Sequence, residues 1–195
     1  METQVVTPEK IFMMPQKYLV PLFQRPYVWN EELQWDPLWK DIQRIANRLL
    51  SNPGEQLQPH FLGAVVFQQI QNPTGDLQQR TVIDGQQRLT TLQILLNAIC
   101  VELKGINASG SAARIEPLIE NAKAFQSTPE DKFKILPTNK DRNAFHEVMD
   151  KQIEESYDQL KYKHHKLVQA HEFFTSQIKH WLQEENQSEW INRGE

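Results

Sequence analysis

The hydrophobic pattern of the chain changes period at Gly85. Thr81, Val82 and Ile83 are β-branched and read as the end of a strand, whereas Leu89, Leu92, Leu95, Leu96, Ile99 and Leu103 lie on one helical face. Gly85, free in φ, supplies the turn between them. A strand that enters a helix through so short a turn is a unit common to many α/β architectures and is by itself a weak signal.

The turn holds one carboxylate, Asp84, two carboxamides, Gln86 and Gln87, and one guanidinium, Arg88. A helix N-terminus presents unpaired N–H groups and the positive end of a dipole, which suits phosphate, and Arg88 adds a planar fork of donors. A simpler reading has Asp84 as the helix cap and the glutamines in solvent. Neither G-x-x-x-x-G-K-[ST] nor G-x-G-x-x-G occurs in the chain.

Other elements follow from local signals. Thr7-Pro8-Glu9 and Asp36-Pro37 each combine a cap with a proline at N1, so helices begin at both. Leu38, Ile42, Ile45 and Leu49 continue the second, which ends at Ser51–Gly54. Tyr18–Val20 reads as a strand, and 61–70 and 79–83 read as a hairpin across Asn72–Asp76. Gly105–Ser111 reads as a linker, Lys132–Leu136 as an extended segment, and Thr138 with Asp141 as a capping box. From Ile153 through Tyr157, Leu160, His164, Leu167, His171, Phe174 and Ile178 to Trp181, steps of four and three predict one long helix. Its seam packs within a bundle or, alternatively, against a second copy in a homodimer. The tail after Gln183 reads as polar and frayed, with Trp190 free to dock.

Bulk properties narrow the function. The net charge of -4 and pI near 5.9 give no general attraction to nucleic acid, so any DNA contact must come from a local patch. A single cysteine, Cys100, excludes an intrachain disulfide and reads as a small core residue rather than a nucleophile. No signal peptide or run of about 20 apolar residues is present, so a cytoplasmic protein with no membrane partner is expected.

Four segments, taken in order, carry a family resemblance. They are Val20-Pro21-Leu22-Phe23-Gln24-Arg25-Pro26-Tyr27-Val28-Trp29, His60-Phe61-Leu62-Gly63-Ala64-Val65-Val66, Asp84-Gly85-Gln86-Gln87-Arg88-Leu89-Thr90-Thr91-Leu92 and Leu136-Pro137-Thr138-Asn139-Lys140-Asp141-Arg142. Together they resemble the N-terminal domain of GmrSD-type restriction endonucleases, whose DGQQR signature the third segment matches. The resemblance implies a ParB/sulfiredoxin-like fold, here an α/β (α+β) domain with a small mixed sheet over 1–105, followed by a mostly helical region over 106–195.

It also implies nucleoside triphosphate binding and hydrolysis with Mg²⁺ in a modification-dependent restriction or phage-defence protein. In that reading Asp84, Gln86, Gln87 and Arg88 are catalytic. Asp84 holds the metal or orients a water, and Arg88 neutralises charge on the phosphoryl group. Gly85, Asp141 and Arg142 line the nucleotide pocket, although the last two also read as a helix cap. Gln24, Arg25, Pro26, Tyr27 and Trp29 form a DNA-binding loop that stacks bases and binds phosphate. The alternative places Tyr27 and Trp29 in the core and pairs Arg25 with Asp84. In phosphorothioate-sensing relatives an apolar pocket near Pro26 and Tyr27 accepts the modified backbone; phosphorothioate and modified cytosine both remain open as targets.

His164 and His171 read as core members of the last helix rather than metal ligands. Lys161, Lys163, His165 and Lys166 read as a solvated face, with a DNA patch as the alternative. No His-Asn-His-type motif follows residue 145, so a nuclease domain or subunit located elsewhere is expected to do the cutting. A non-enzymatic DNA- or partner-binding module and a ParB-like nuclease acting through the N-terminal domain are the competing functions.

Overall fold

Thr7 Oγ1 accepts the Lys10 backbone N–H at 3.3 Å and caps α1 (Pro8–Phe12), as its sequence predicts. The computed structural model describes residues 3–56, 60–72, 75–151 and 156–184. Within them α1 is followed by β1 (Gln16–Leu19), a π turn (Glu31–Trp35), α2 (Asp36–Ser51), β2 (Val66–Gln69), β3 (Gln78–Asp84) and α3 (Gln86–Gly105). After these come α4 (Ser109–Ile119), β4 (Ile135–Leu136), α5 (Asn139–Met149) and α6 (Lys166–Gln183).

The sheet has the order β2-β3-β1-β4. β2 and β3 form the expected antiparallel hairpin, with Phe67 opposite Val82, but β2 starts only at Val66, so residues 61–65 of the expected strand lie outside the sheet. β1 runs parallel to β3 on one side and to β4 on the other. The architecture is therefore mixed α/β with a small mixed sheet, as the family resemblance implies. Parallel strands have a functional consequence. The carboxyl ends of β1, β3 and β4 point the same way, so the loops leaving them share one edge of the sheet, which is where open α/β sheets bind ligands.

α3 is the central helix. It is buried on most sides, packing against α4 and α6, and even Gln93 and Asn97 lie inside. One hydrophobic cluster joins Tyr18, Val82, Leu89 and Ile94 from the first half to Phe133, Ile135, Phe145, Leu167 and Phe174 from the second.

Other local expectations need correction. Asp36 does not cap α2: the helical run already starts at Glu31, Trp35 holds the N-cap position of α2 without a side-chain cap, and Asp36 pairs with Lys40 at 2.7 Å. The last helix begins at Lys166, not Ile153; Tyr157–Gln159 is a 3-10 turn, and the apolar spacing there tracks burial against the core rather than helicity. His164 is consequently an exposed residue before the helix. Ile153 and Trp190 lie outside the described residues. Ser109, Gly110 and Ser111 are the first turn of α4, so only Ile106–Ala108 separates two packed helices, with Asn107 at φ 63°. Finally, Thr138 is the N-cap of α5, but no side chain caps it. Thr138 Oγ1 instead donates to Asp141 Oδ2 at 2.7 Å, because that carboxylate is turned toward the loop after β1.

Candidate functional site

The loop leaving β1 is held from both flanks. On the β3 side, Gln87 bridges it: Oε1 accepts the Val28 N–H at 2.9 Å and Nε2 donates to the Pro26 carbonyl at 3.0 Å. Gln86 Nε2 donates to the Arg25 carbonyl at 3.1 Å and to Gln24 Oε1 at 3.2 Å. Gln24 Nε2 returns a bond to the Ile83 carbonyl at 3.0 Å. On the β4 side, Asp141 Oδ2 accepts the Tyr27 N–H at 3.0 Å. Both glutamines and Asp141 are buried. The glutamines are therefore not solvated, and three segments distant in sequence meet at one sheet edge.

Tyr27 is only 5% exposed, so its ring belongs to the core rather than to a stacking surface. Trp35 Nε1 donates to the Tyr27 hydroxyl at 2.9 Å, which donates to Thr91 Oγ1 at 2.7 Å, which in turn donates to the Gln87 carbonyl at 2.8 Å. This relay satisfies every member. Burial pushes the Tyr27 hydroxyl up to about 12, and the bonds from Thr91 and Trp35 offset only part of that rise. Trp29 is half-buried against the same cluster. Gln24 and Pro26 are partly exposed, and Arg25 and Phe23 are exposed.

Sequence reasoning missed Trp35 and Thr91. Thr91 lies one helical turn beyond Gln87 on the same face of α3, which was a usable signal. Trp35 offered none, because it sits in a π turn.

The turn itself is built for close approach. Gly85 is the N-cap of α3 at φ 90°, and no side chain caps the helix; the Leu89 N–H is the first to find a backbone carbonyl, that of Gly85, at 3.0 Å. Asp84 therefore does not act as the cap. Its carboxylate is exposed at the end of β3 and forms no ion pair among the described residues. The alternative Arg25–Asp84 pair is thus not formed. Arg88 is partly exposed, has no carboxylate partner among the described residues, and donates through Nη1 to the Ala64 carbonyl.

The remaining candidates separate. Asp141 Oδ1 is buried without a hydrogen-bond donor; His165 Nε2 is 3.4 Å away but not in hydrogen-bonding geometry. Arg142 points elsewhere, pairing with Glu130 at 3.1 Å in a cleft of about 560 Å³ that His146 and Phe133 also line. His171 is fully buried, its Nε2 2.8 Å from Asn97 Oδ1 and its Nδ1 2.6 Å from the Tyr157 hydroxyl. Cys100 is buried, and desolvation pushes its thiol up. Among the described residues no group of three or more His, Cys, Asp and Glu side chains could hold a metal. Nor is any helix there long and apolar enough to cross a membrane.

A small mixed sheet whose parallel strands deliver a carboxamide-clamped loop, an uncapped helix and a buried aspartate to one edge defines an α/β module with a polar site at its strand ends. The family comparison places the chain by its sequence. The chain belongs to the family of the GmrSD restriction endonuclease N-terminal domain, whose model matches residues 8–193. The comparison with curated proteins returns no match. Membership makes the chain a module of a restriction or defence system, for which DNA and a nuclease are the general partners.

Proposed function

We propose that the turn after β3 binds and hydrolyses a nucleoside triphosphate, and that this reaction gates a nuclease located elsewhere when modified DNA is engaged. One observation carries the reading. The two carboxamides of the turn are consumed by the neighbouring loop, whereas its cation, its carboxylate and its helix N-terminus are not consumed by one another. An uncapped N-terminus beside an arginine with no carboxylate partner is an arrangement suited to a polyanion.

The roles divide accordingly. Arg88 binds the phosphoryl oxygens as negative charge gathers on them. Asp84 is the carboxylate available to Mg²⁺, which takes one or two carboxylates together with phosphate oxygens and water. Bound Mg²⁺ would neutralise charge on the terminal phosphates. Gln86 and Gln87 transmit occupancy, because the residues that open α3 also hold the backbone of Arg25, Pro26 and Val28. That loop offers DNA Gln24, Arg25, Pro26 and the partly exposed Trp29, while Tyr27 anchors it from below.

The test is phosphate release by the full chain with each nucleotide and Mg²⁺, with and without phosphorothioate or modified-cytosine DNA. Wild type is expected to turn over, and Arg88→Ala to lose about 10²–10³-fold in kcat. Equal inactivity of both proteins under every condition defeats the hydrolase reading. A non-enzymatic DNA- or partner-binding module is the second reading. The structural use of both glutamines favours it, and DNA binding unaltered by nucleotide would support it.

A further inference from the structure

Residues 60–65 run across the start of α3 and touch it twice. Val65 lies on Gly85: a Cβ at Gly85 would stand 2.6 Å from Val65 Cγ1. Gly63 lies against Arg88: at φ +96°, its Cβ would stand 2.8 Å from Arg88 Cζ and 2.9 Å from Nε. The next carbonyl, that of Ala64, accepts the Nη1–H of the same guanidinium. The segment then enters β2, whose first residue, Val66, is registered against Asp84. The guanidinium is thus seated on a main chain that is itself fixed to the strand carrying Asp84.

We propose that the two-residue segment Gly63-Ala64 is the positioning element for Arg88. The Ala64 carbonyl fixes one arm of the fork, and the bare Cα of Gly63 leaves room for the guanidinium to lie over the backbone. An arginine offers five N–H donors in a rigid plane, so fixing one arm sets the direction of the rest. An unrestrained arginine would have to lose side-chain freedom on each encounter with phosphate; a seated one presents its donors in advance. This assignment rests on Arg88 acting on the nucleotide, but the geometry that carries it is independent of turnover.

Gly63→Ala tests it. The added methyl meets the flexible end of Arg88, so the guanidinium is what moves. Gly54→Ala is the control: Gly54 shares the positive φ (+92°) but has nothing within 4 Å of its Cβ. The first readout needs no activity. Phenylglyoxal labelling followed by peptide mapping is expected to modify Arg88 at least threefold faster in Gly63→Ala than in wild type or Gly54→Ala, with the exposed Arg25 unchanged. The second readout is kinetic: Gly63→Ala lowers kcat at least tenfold with KM within twofold, and adds no further loss in an Arg88→Ala background. Unchanged Arg88 labelling, the same effect from Gly54→Ala, or additive losses would overturn the proposal. If Gly63→Ala does not fold, Gly63→Asn brings the same Cβ with a residue that tolerates positive φ. A wild type without turnover would refute the hydrolase reading, while labelling would still decide the positioning.

Discussion

Gln87→Glu isolates what the carboxamide clamp contributes. The substitution keeps the shape and the acceptor that receives the Val28 N–H, but it replaces the Nε2 donor with an oxygen 3.0 Å from the Pro26 carbonyl oxygen. The lost hydrogen bond costs about 1 kcal/mol. Holding a carboxylate against a carbonyl at a side chain that is 8% exposed costs roughly 2 kcal/mol more. The deficit at pH 8 is therefore about 3 kcal/mol, or about 6–12 °C in Tm for a chain of this size. The sign of its pH dependence is fixed. The introduced acid has a folded-state pKa raised above its unfolded value of about 4.3, so stability is present at low pH and lost as pH rises through the folded value. Once protonated, the acid regains a donor for Pro26. Urea unfolding of both proteins at pH 8 and pH 5 reads the effect, and titrations common to the two cancel. A deficit below about 0.5 kcal/mol at pH 8, or one that fails to narrow at pH 5, would mean that Gln87 does not hold the loop.

Three further outcomes follow from the same geometry. Burial, with Lys151 nearby, pushes His171 down to about 3, so the unfolded chain takes up the proton first and stability falls below pH 6.5. Urea titrations should show a loss of about 2 kcal/mol between pH 7.5 and 5, flattened in His171→Gln, and an unchanged slope would contradict the neutral buried imidazole. Burial alone would raise the Asp131 carboxyl, but hydrogen bonds from Lys17 and from Thr128 hold it below the usual value. Asp131→Asn should therefore destabilise the protein by about 3–5 kcal/mol by calorimetry, because Lys17 is left buried and unpaired. Cys100 should react with a thiol reagent only after denaturant is added, and prompt reaction in native buffer would refute its burial.

Much of the scaffold was legible because its signals are local. Gly85 marks a change of period that its own neighbours define, and Thr7 and the 66–84 hairpin announce themselves within a few residues. The candidate site could be named from the sequence residue by residue, but the partners of those residues could not. Gln86 and Gln87 hold a loop about 60 positions upstream, and Asp141 reaches Tyr27 across 114 positions. Spacing paired Asp141 with Thr138 correctly, but it left unseen the Tyr27 N–H that draws the carboxylate away from the helix end. Tyr157 and Leu160 show the converse error. Their periodicity was real, but a 3-10 turn can point apolar side chains at a core as well as a helix can.

β4 contributes two residues, yet it decides how the molecule can be divided. The Tyr18 N–H bonds to the Lys134 carbonyl at 2.8 Å and the Val20 N–H to that of Leu136 at 3.0 Å. A fragment ending at residue 105 would keep the motif-bearing turn but leave one side of β1 with bare donors, an open template for self-association. Supplying the remaining chain as a separate polypeptide should restore solubility by adding the missing strand in trans. A gene split between α3 and α4 would thus make an obligate two-piece assembly, each piece insoluble or unfolded until it met the other.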